Sequence, residues 1–300
     1  MTNFHSPPVK VEFTFSLQCR ICRIIPAGGK MSSILETRFM TDMIRTASDL
    51  YAHGWDERNG GNISLMLAPG DTDGYLEHVP EKRVIPTGFS APELEGREFL
   101  VTGAGKYFRN VSRYPEECLG IVRLEDGGTN ARVLWGFEGG GTVTSEFSAH
   151  AMSHAGRLGT DPENRVVIHS HPTNLVAMTF VHELDERSFT RTLWQMCTEC
   201  VVVFPDGVGI IPWILCGTNE IGEATAQKMS TSRIVVWPHH GIYGAGRTLD
   251  ETFGLIETAE KAAEIYMKIA HLEIRQRITD AQMHQLEERF GFRAKEGYLD

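Results

Sequence analysis

Long apolar runs are missing from this 300-residue sequence. A helix that crosses a bilayer needs roughly 18 or more consecutive apolar residues, so no membrane partner is expected and the chain reads as cytoplasmic. Basic charge is also scarce. Lys plus Arg total 29 against 39 Asp plus Glu, a formal net charge of −10. Proteins that grip nucleic acid carry a basic excess to neutralise phosphates, so nucleic acid is not an expected partner. Cysteine is sparse, six residues, which fits a reduced chain and excludes a disulfide-stapled scaffold. Internal repeats, low-complexity tracts and an interdomain linker are absent as well. What remains is ordinary globular composition, 41% hydrophobic and 23% charged, in a length that suits one large α/β domain.

The first 30 residues differ from the rest. They carry Lys10, Arg20, Arg23 and Lys30 against Glu12 alone, which leaves −13 on residues 31–300. Glu12, Arg20 and Arg23 interrupt the apolar stretch over 11–25, so it lacks the unbroken centre of a secretion signal. Residues 1–30 read as a disordered or non-native extension, with a single domain over 31–300 and Met31 as its natural start. The sequence holds two CxxC pairs, Cys19 with Cys22 and Cys197 with Cys200. Together they have the ligand types of a four-thiolate zinc site; two coincidental pairs of inert thiols is the plainer reading.

Ser32 and Ser33 are candidate caps for a helix whose apolar stripe includes Leu35, Phe39, Met43, Ala47 and Leu50, and which Gly54 ends. Residues 63–67 alternate as a strand. Residues 68–96, rich in Pro, Gly, Asp and Glu, read as a long surface excursion. A short strand covers 99–102, and 119–124 with 132–135 flank an Asp126-Gly127-Gly128 turn as a hairpin. A helix follows from near Ser145 to Gly156, then a buried strand over 165–168, then a helix with Pro172 in its first turn. Further helices fall at 186–196, after Thr218, over 249–272 and over 279–290, the last with Thr279 and Gln282 placed as a capping box. Residues 200–204, 209–212 and 233–237 read as strands. Alternation of strands and helices, with hairpin-like stretches, predicts an α/β domain on a mixed sheet.

His169 and His171 flank Ser170 at the end of the apolar strand Val166-Val167-Ile168. Residues two apart in extended chain face the same way, so both imidazoles can reach one metal ion. His240 also follows an apolar strand and is followed by Gly241; His239 is its rival for the same role. Three imidazoles leave a fourth position open, the arrangement of catalytic rather than structural zinc, although iron, cobalt or manganese suits the same donors. His150 and His154, four apart on a helix, have chelating spacing too, or simply form a packed face. Two glycine segments, Asn59-Gly60-Gly61-Asn62 and Gly103-Ala104-Gly105-Lys106, adjoin strands. Neither is a Walker A loop or a GxGxxG fingerprint; each is either a tight turn or a set of converging N–H groups for an anion. Thr144-Ser145-Glu146 places two hydroxyls and a carboxylate at a helix start, where a phosphate is favoured.

Taken in order, Gly54-Trp55-Asp56-Glu57-Arg58-Asn59-Gly60-Gly61-Asn62, Val101-Thr102-Gly103-Ala104-Gly105-Lys106, Thr144-Ser145-Glu146, His169-Ser170-His171 and His240-Gly241 resemble the class II aldolases of the fuculose-phosphate aldolase and adducin-head superfamily. The segments from Thr198 to Gly207 and from Thr248 to Ile256 resemble one aldolase of that superfamily in particular. The resemblance spans about residues 33–292. It implies a three-layer α/β/α domain with a central mixed, largely antiparallel sheet, and a homotetramer with active sites between subunits. It implies one Zn2+ per subunit held by His169, His171 and His240, and a ketose 1-phosphate substrate split to dihydroxyacetone phosphate and L-lactaldehyde. Glu146 matches the family's catalytic glutamate, and Glu199 one that reaches the neighbouring subunit's site. Asn59, Gly61, Asn62, Gly103, Ala104 and Ser145 match positions around the substrate phosphate. Ala104 stands where a serine is common, so a hydroxyl is lost and a backbone N–H kept. Rival readings are an epimerase or dehydratase of the same superfamily, which tends to carry aspartate at the Glu146 position, and a non-catalytic adducin-like interaction protein lacking the metal histidines. A redox or zinc-ribbon protein built on the CxxC pairs requires Cys19 and Cys22 to be ordered.

Overall fold

In the computed structural model, which describes residues 33–76 and 83–299, nine strands form one sheet: β1 (Asn62–Met66), β2 (Val84–Pro86), β3 (Glu98–Thr102), β4 (Leu119–Glu125), β5 (Asn130–Gly136), β6 (Val166–Ser170), β7 (Val208–Ile210), β8 (Ile234–Trp237) and β9 (Gly241–Gly246). Their order is β2-β5-β4-β3-β1-β6-β9-β8-β7. Every neighbouring pair is antiparallel except β7 with β8. The sheet is therefore mixed and largely antiparallel, as the sequence predicts.

Helices cover both faces. They are α1 (Arg38–His53), α2 (Pro115–Cys118), α3 (Phe147–Leu158), α4 (Thr173–Val181), α5 (Glu186–Met196), α6 (Thr198–Val203), α7 (Asn219–Met229), α8 (Leu249–Ile269) and α9 (Asp280–Phe290). Alternation along the strands divides the core. Ile63, Val166, Ile168, Ile234, Val236 and Ile242 pack with apolar residues of α1, α4, α5, α6 and α8. Val101 and Val122 pack instead with Phe147 and Ala151 of α3, and Val167, Val235 and Trp237 with Ile221 and Met229 of α7. Burial of both sheet faces by helices gives the three-layer α/β/α arrangement.

Capping chemistry sets the helix ends. Gly54 (φ 73°) terminates α1, its N–H meeting Leu50 and Tyr51 carbonyls. Thr218 and Thr248 accept from Ile221 N–H and Glu251 N–H to start α7 and α8. Thr279 and Gln282 form the anticipated capping box of α9. Pro172 stands at the cap of α4, one position before the first helical residue.

One expectation fails, and two strands go unread in the sequence. Residues 200–204 are not a strand: α6 is a short helix that turns Cys200 and Val201 into the core. The valine run there favours a strand locally, and tertiary burial overrides that weak preference. The excursion over 68–96 holds the edge strand β2, paired with β5. Strand β9 carries only Ile242 and Tyr243 as β-favouring residues among Gly241, Gly244 and Gly246, because its glycines serve close approach rather than side-chain packing. A Cβ on Gly241 would lie 2.4 Å from the Ser170 carbonyl oxygen of neighbouring β6. The extension over 1–30, with Cys19 and Cys22, lies outside the described residues.

Candidate active site

One end of the sheet gathers the chemistry. Antiparallel pairing brings the start of β1 (Asn62) beside the end of β6 (His169), and β6 beside the start of β9. His169 is the fourth residue of β6, and His171 follows that strand directly. Their Nε2 atoms are 3.2 Å apart. The His240 ring lies 5.0 Å from each of the other two. One nitrogen from each of the three histidines falls within 4.8 Å of the others.

The turn after β8 separates the two adjacent histidines. His239 adopts φ 63°, its N–H donates to Thr179 Oγ1 at 3.0 Å, and its ring lies 4.2 Å from that of Phe180. It faces α4, and His240 joins the cluster.

Hydrogen bonds fix which nitrogens are free. His169 Nδ1 donates to the Ile242 carbonyl at 2.9 Å, and His171 Nδ1 meets the Glu57 carboxylate at 2.9 Å. Each ring is thereby held with Nε2 as its unprotonated atom, the carboxylate–imidazole or carbonyl–imidazole pairing typical of metal ligands. Burial, then the neighbouring His171, holds the His169 imidazole far below the ordinary histidine range, and the same causes bring His240 to about 4. The two Nε2 atoms converge to 3.2 Å, a spacing that a cation between them would satisfy. Imidazoles about 2.05 Å from a tetrahedral ion stand roughly 3.3 Å apart, so this donor set fits a divalent ion.

Glu146 lies against the cluster at the cap of α3, 7% exposed. Its Oε2 is 3.5 Å from His169 Nε2, accepts from Asn62 Nδ2 at 2.8 Å, and is 3.5 Å from the Tyr243 hydroxyl. Burial raises its pKa, and the Asn62 hydrogen bond opposes that rise. Its carboxyl oxygen, Cys216 Sγ and a His240 nitrogen form a second close set, all within 4.8 Å.

The glycines of Asn59-Gly60-Gly61-Asn62 let the backbone lie on the imidazoles. A Cβ on Gly60 would sit 2.9 Å from His171 Cε1, and one on Gly61 3.1 Å from the His169 carbonyl oxygen. Asn59 and Ser145 are exposed. Asn62, expected at a phosphate, is buried with its amide between Glu146 and His150. The N–H groups of Gly103 and Ala104 bond the Cys118 and Thr142 carbonyls at 2.7 and 2.9 Å. The kept backbone N–H of Ala104 is thus engaged within the protein, as in an ordinary tight turn. Glu199 lies on the exposed side of α6, outside the cluster, accepting from Cys197 Sγ at 2.8 Å.

The other sequence candidates separate cleanly. His150 and His154 are fully buried and hydrogen-bonded to Ser64 rather than placed as chelators. Cys197 and Cys200 are thiols whose pKa burial raises, which disfavours the thiolate a metal requires. Glu57, Tyr243 and Cys216 escaped the sequence reading. Glu57 sits in a quoted motif, but only the fold brings it to His171 from more than a hundred residues away.

Comparison with known proteins identifies the family. The family described as Class II Aldolase and Adducin N-terminal domain matches residues 41–267. The chain is 58% identical over 268 residues to the rhamnulose-1-phosphate aldolase of Listeria monocytogenes serovar 1/2a, covering 89% of this chain and 98% of that one. Identity to the enzyme of the same name from Escherichia coli O157:H7 is 46%, covering 87% and 96%. Among solved structures, a sugar-phosphate aldolase from Thermotoga maritima is similar with a TM-score of 0.67 and 28% identity, over 78% of this chain and 96% of that one. An L-fuculose 1-phosphate aldolase shares the fold, with a TM-score of 0.58 and 18% identity, over 87% and 99%. This chain belongs to the class II aldolase and adducin N-terminal domain family.

Proposed function

We propose that the chain is a zinc-dependent lyase that splits L-rhamnulose 1-phosphate reversibly into dihydroxyacetone phosphate and L-lactaldehyde. The observation that carries this reading is the buried Glu146 carboxyl set 3.5 Å from His169 Nε2 at the edge of a three-histidine cluster. Identity of 58% and 46% to proteins named for that substrate supports its choice.

His169, His171 and His240 would hold the ion, one per subunit. When bound, the ion supplies Lewis acidity toward the adjacent carbonyl and hydroxyl oxygens of the ketose. Breaking the C3–C4 bond leaves its electron pair on C3, and the Glu146 carboxyl delivers a proton there to complete dihydroxyacetone phosphate. Burial raises the Glu146 pKa, which favours uptake of the proton that it then delivers. The C4 hydroxyl loses its proton as C4 becomes the aldehyde; we assign that proton to Glu199 acting in a neighbouring subunit's site. No lysine Schiff base is required.

The phosphate lies among Asn59, Gly61, Asn62, Gly103, Ala104 and Ser145. Asn62 and the loop N–H groups are engaged within the protein, so the Asn59 and Ser145 side chains make the direct contacts. The domain is residues 31–300, and the assembly is a homotetramer. Phe180 and Trp213, 67% and 68% exposed near His239 and His240, support a subunit interface beside the site.

The test is release of dihydroxyacetone phosphate from L-rhamnulose 1-phosphate, followed with a coupled dehydrogenase. Activity should vanish with a chelator and return with zinc. Release from fuculose or ribulose phosphate instead would move the substrate within the family, and no release from any ketose phosphate would favour an interaction protein.

A further inference from the structure

A buried line of polar groups leads away from Glu146 into the layer between the sheet and α3. Asn62 and Ser64 are two apart on β1 and share a face; His150 and His154 are four apart on α3 and share another. A two-residue step in a strand, about 6.7 Å, matches a four-residue helical step, about 6 Å. The two pairs therefore meet rung by rung. Asn62 Nδ2 reaches Glu146 Oε2 at 2.8 Å, and Asn62 Oδ1 contacts His150 Nε2. Ser64 Oγ lies 2.7 Å from His150 Nδ1 and 2.8 Å from His154 Nε2. Ser64, His150 and His154 are all 0% exposed.

Each donor in this line is dictated by the one before it. A Glu146 carboxylate can only accept, so the Asn62 amide presents its NH2 to it and its oxygen to His150. His150 must then carry its proton on Nε2, leaving Nδ1 to accept from the Ser64 hydroxyl. Ser64, having donated, accepts from His154 Nε2–H. The line ends at His154 Nδ1, a buried lone pair with no partner among the described residues. Reversing every bond would instead leave a buried N–H of His154 without an acceptor, the rarer and costlier defect. Burial keeps both rings neutral, with His154 at about 3, which this ordering needs.

We infer that Ser64, His150 and His154 are positioning residues that act through Asn62: they fix which atoms of its amide face Glu146 and so aim the Glu146 carboxylate at the histidine cluster. The inference rests on Glu146 as the proton carrier of the proposed aldolase. The line is sealed at His154, so it aims Glu146 without conducting its protons. In this arrangement Asn62 serves the catalytic carboxyl and not the phosphate.

The test combines spectroscopy and kinetics on the full-length, metal-loaded protein. Nitrogen-15 NMR of histidine-labelled wild-type protein, with the two signals identified from His150→Gln and His154→Gln, should show both rings neutral and protonated on Nε2. A Nδ1–H tautomer at His150 would overturn the ordering. Ser64→Ala, which removes one hydroxyl beyond reach of the substrate, should lower kcat by tenfold or more while KM and bound zinc stay within twofold. Unchanged kcat with only a lower melting temperature would make the line structural and defeat the inference. Glu146→Gln is the control for the underlying reading. If it cleaves at full rate, Glu146 is not the proton carrier and the inference goes with it; if it is inactive while Ser64→Ala is normal, only the inference fails.

Discussion

Glu146 and Asp56 are two buried carboxyls with opposite surroundings. Glu146 is met by Asn62, Tyr243 and His169. Asp56, 3% exposed, has both oxygens buried with no hydrogen-bond partner among the described residues, and burial followed by Glu57 raises its pKa from 3.8 to about 7. A carboxyl with a raised folded-state pKa adds no penalty below about pH 4, where both states are protonated. Between about pH 4 and 7 the unfolded chain releases its proton and the folded chain keeps it, so stability falls. Above 7 the penalty is complete, on the order of 4 kcal/mol by linkage. Asp56→Asn should therefore raise the thermal midpoint at pH 8 and leave it nearly unchanged at pH 4; equal gains at both would show that charge is not the cause. A second residue-scale contrast is His240 against His239. His240→Ala should lose most of the bound metal, whereas His239→Ala should keep it, as metal analysis of the dialysed proteins will tell. Adjacency in sequence left these two as rivals, because only the backbone conformation at His239 decides which ring turns to α4.

At the scale of elements, the readable parts were those whose pattern is local. The His169-Ser170-His171 spacing at the end of an apolar strand, the Thr279 capping box and the hairpin of β4 and β5 all announce themselves within a few residues. The line from Asn62 to His154 does not, because strand period and helix period have to be matched across elements nearly ninety residues apart. Strand β9 was hidden for a different reason. Its glycines exist to let β6 and α8 come close: a Cβ on Gly241 would meet Ser170 O at 2.4 Å and His171 Cδ2 at 2.8 Å, while one on Gly244 would meet Ile256 Cγ1 at 2.9 Å. The two positions should therefore fail differently. Gly244→Ala presses on a side chain that can turn, so it should cost about 1–3 kcal/mol of stability and leave metal binding intact. Gly241→Ala presses on backbone and on a cluster imidazole, so it should also release metal. Denaturation midpoints paired with metal content separate the two, and retained metal in Gly241→Ala would show that the cluster tolerates a shift of β9.

For the whole molecule, the question is how a chain of net charge −10 would take the proposed phosphorylated substrate. Residues 31–300 carry −13, and a dianion approaching them is repelled at long range. In the proposed site, attraction would come from close contacts with the bound ion and polar side chains, at distances where salt screens little. Exposed charges farther away are screened over about 8 Å at physiological ionic strength. Added salt should thus weaken the repulsion more than the attraction. Raising ionic strength from about 10 to about 150 mM with a weakly coordinating salt should lower KM for the ketose 1-phosphate or leave it level, with kcat unchanged. A protein that captured phosphate on exposed Lys and Arg would show the reverse, because screening removes that attraction first. Steady-state kinetics at the two salt levels, at fixed pH and zinc, decides between them. A KM rising several-fold would mean that surface cations, rather than the histidine cluster and its neighbours, bring the substrate in.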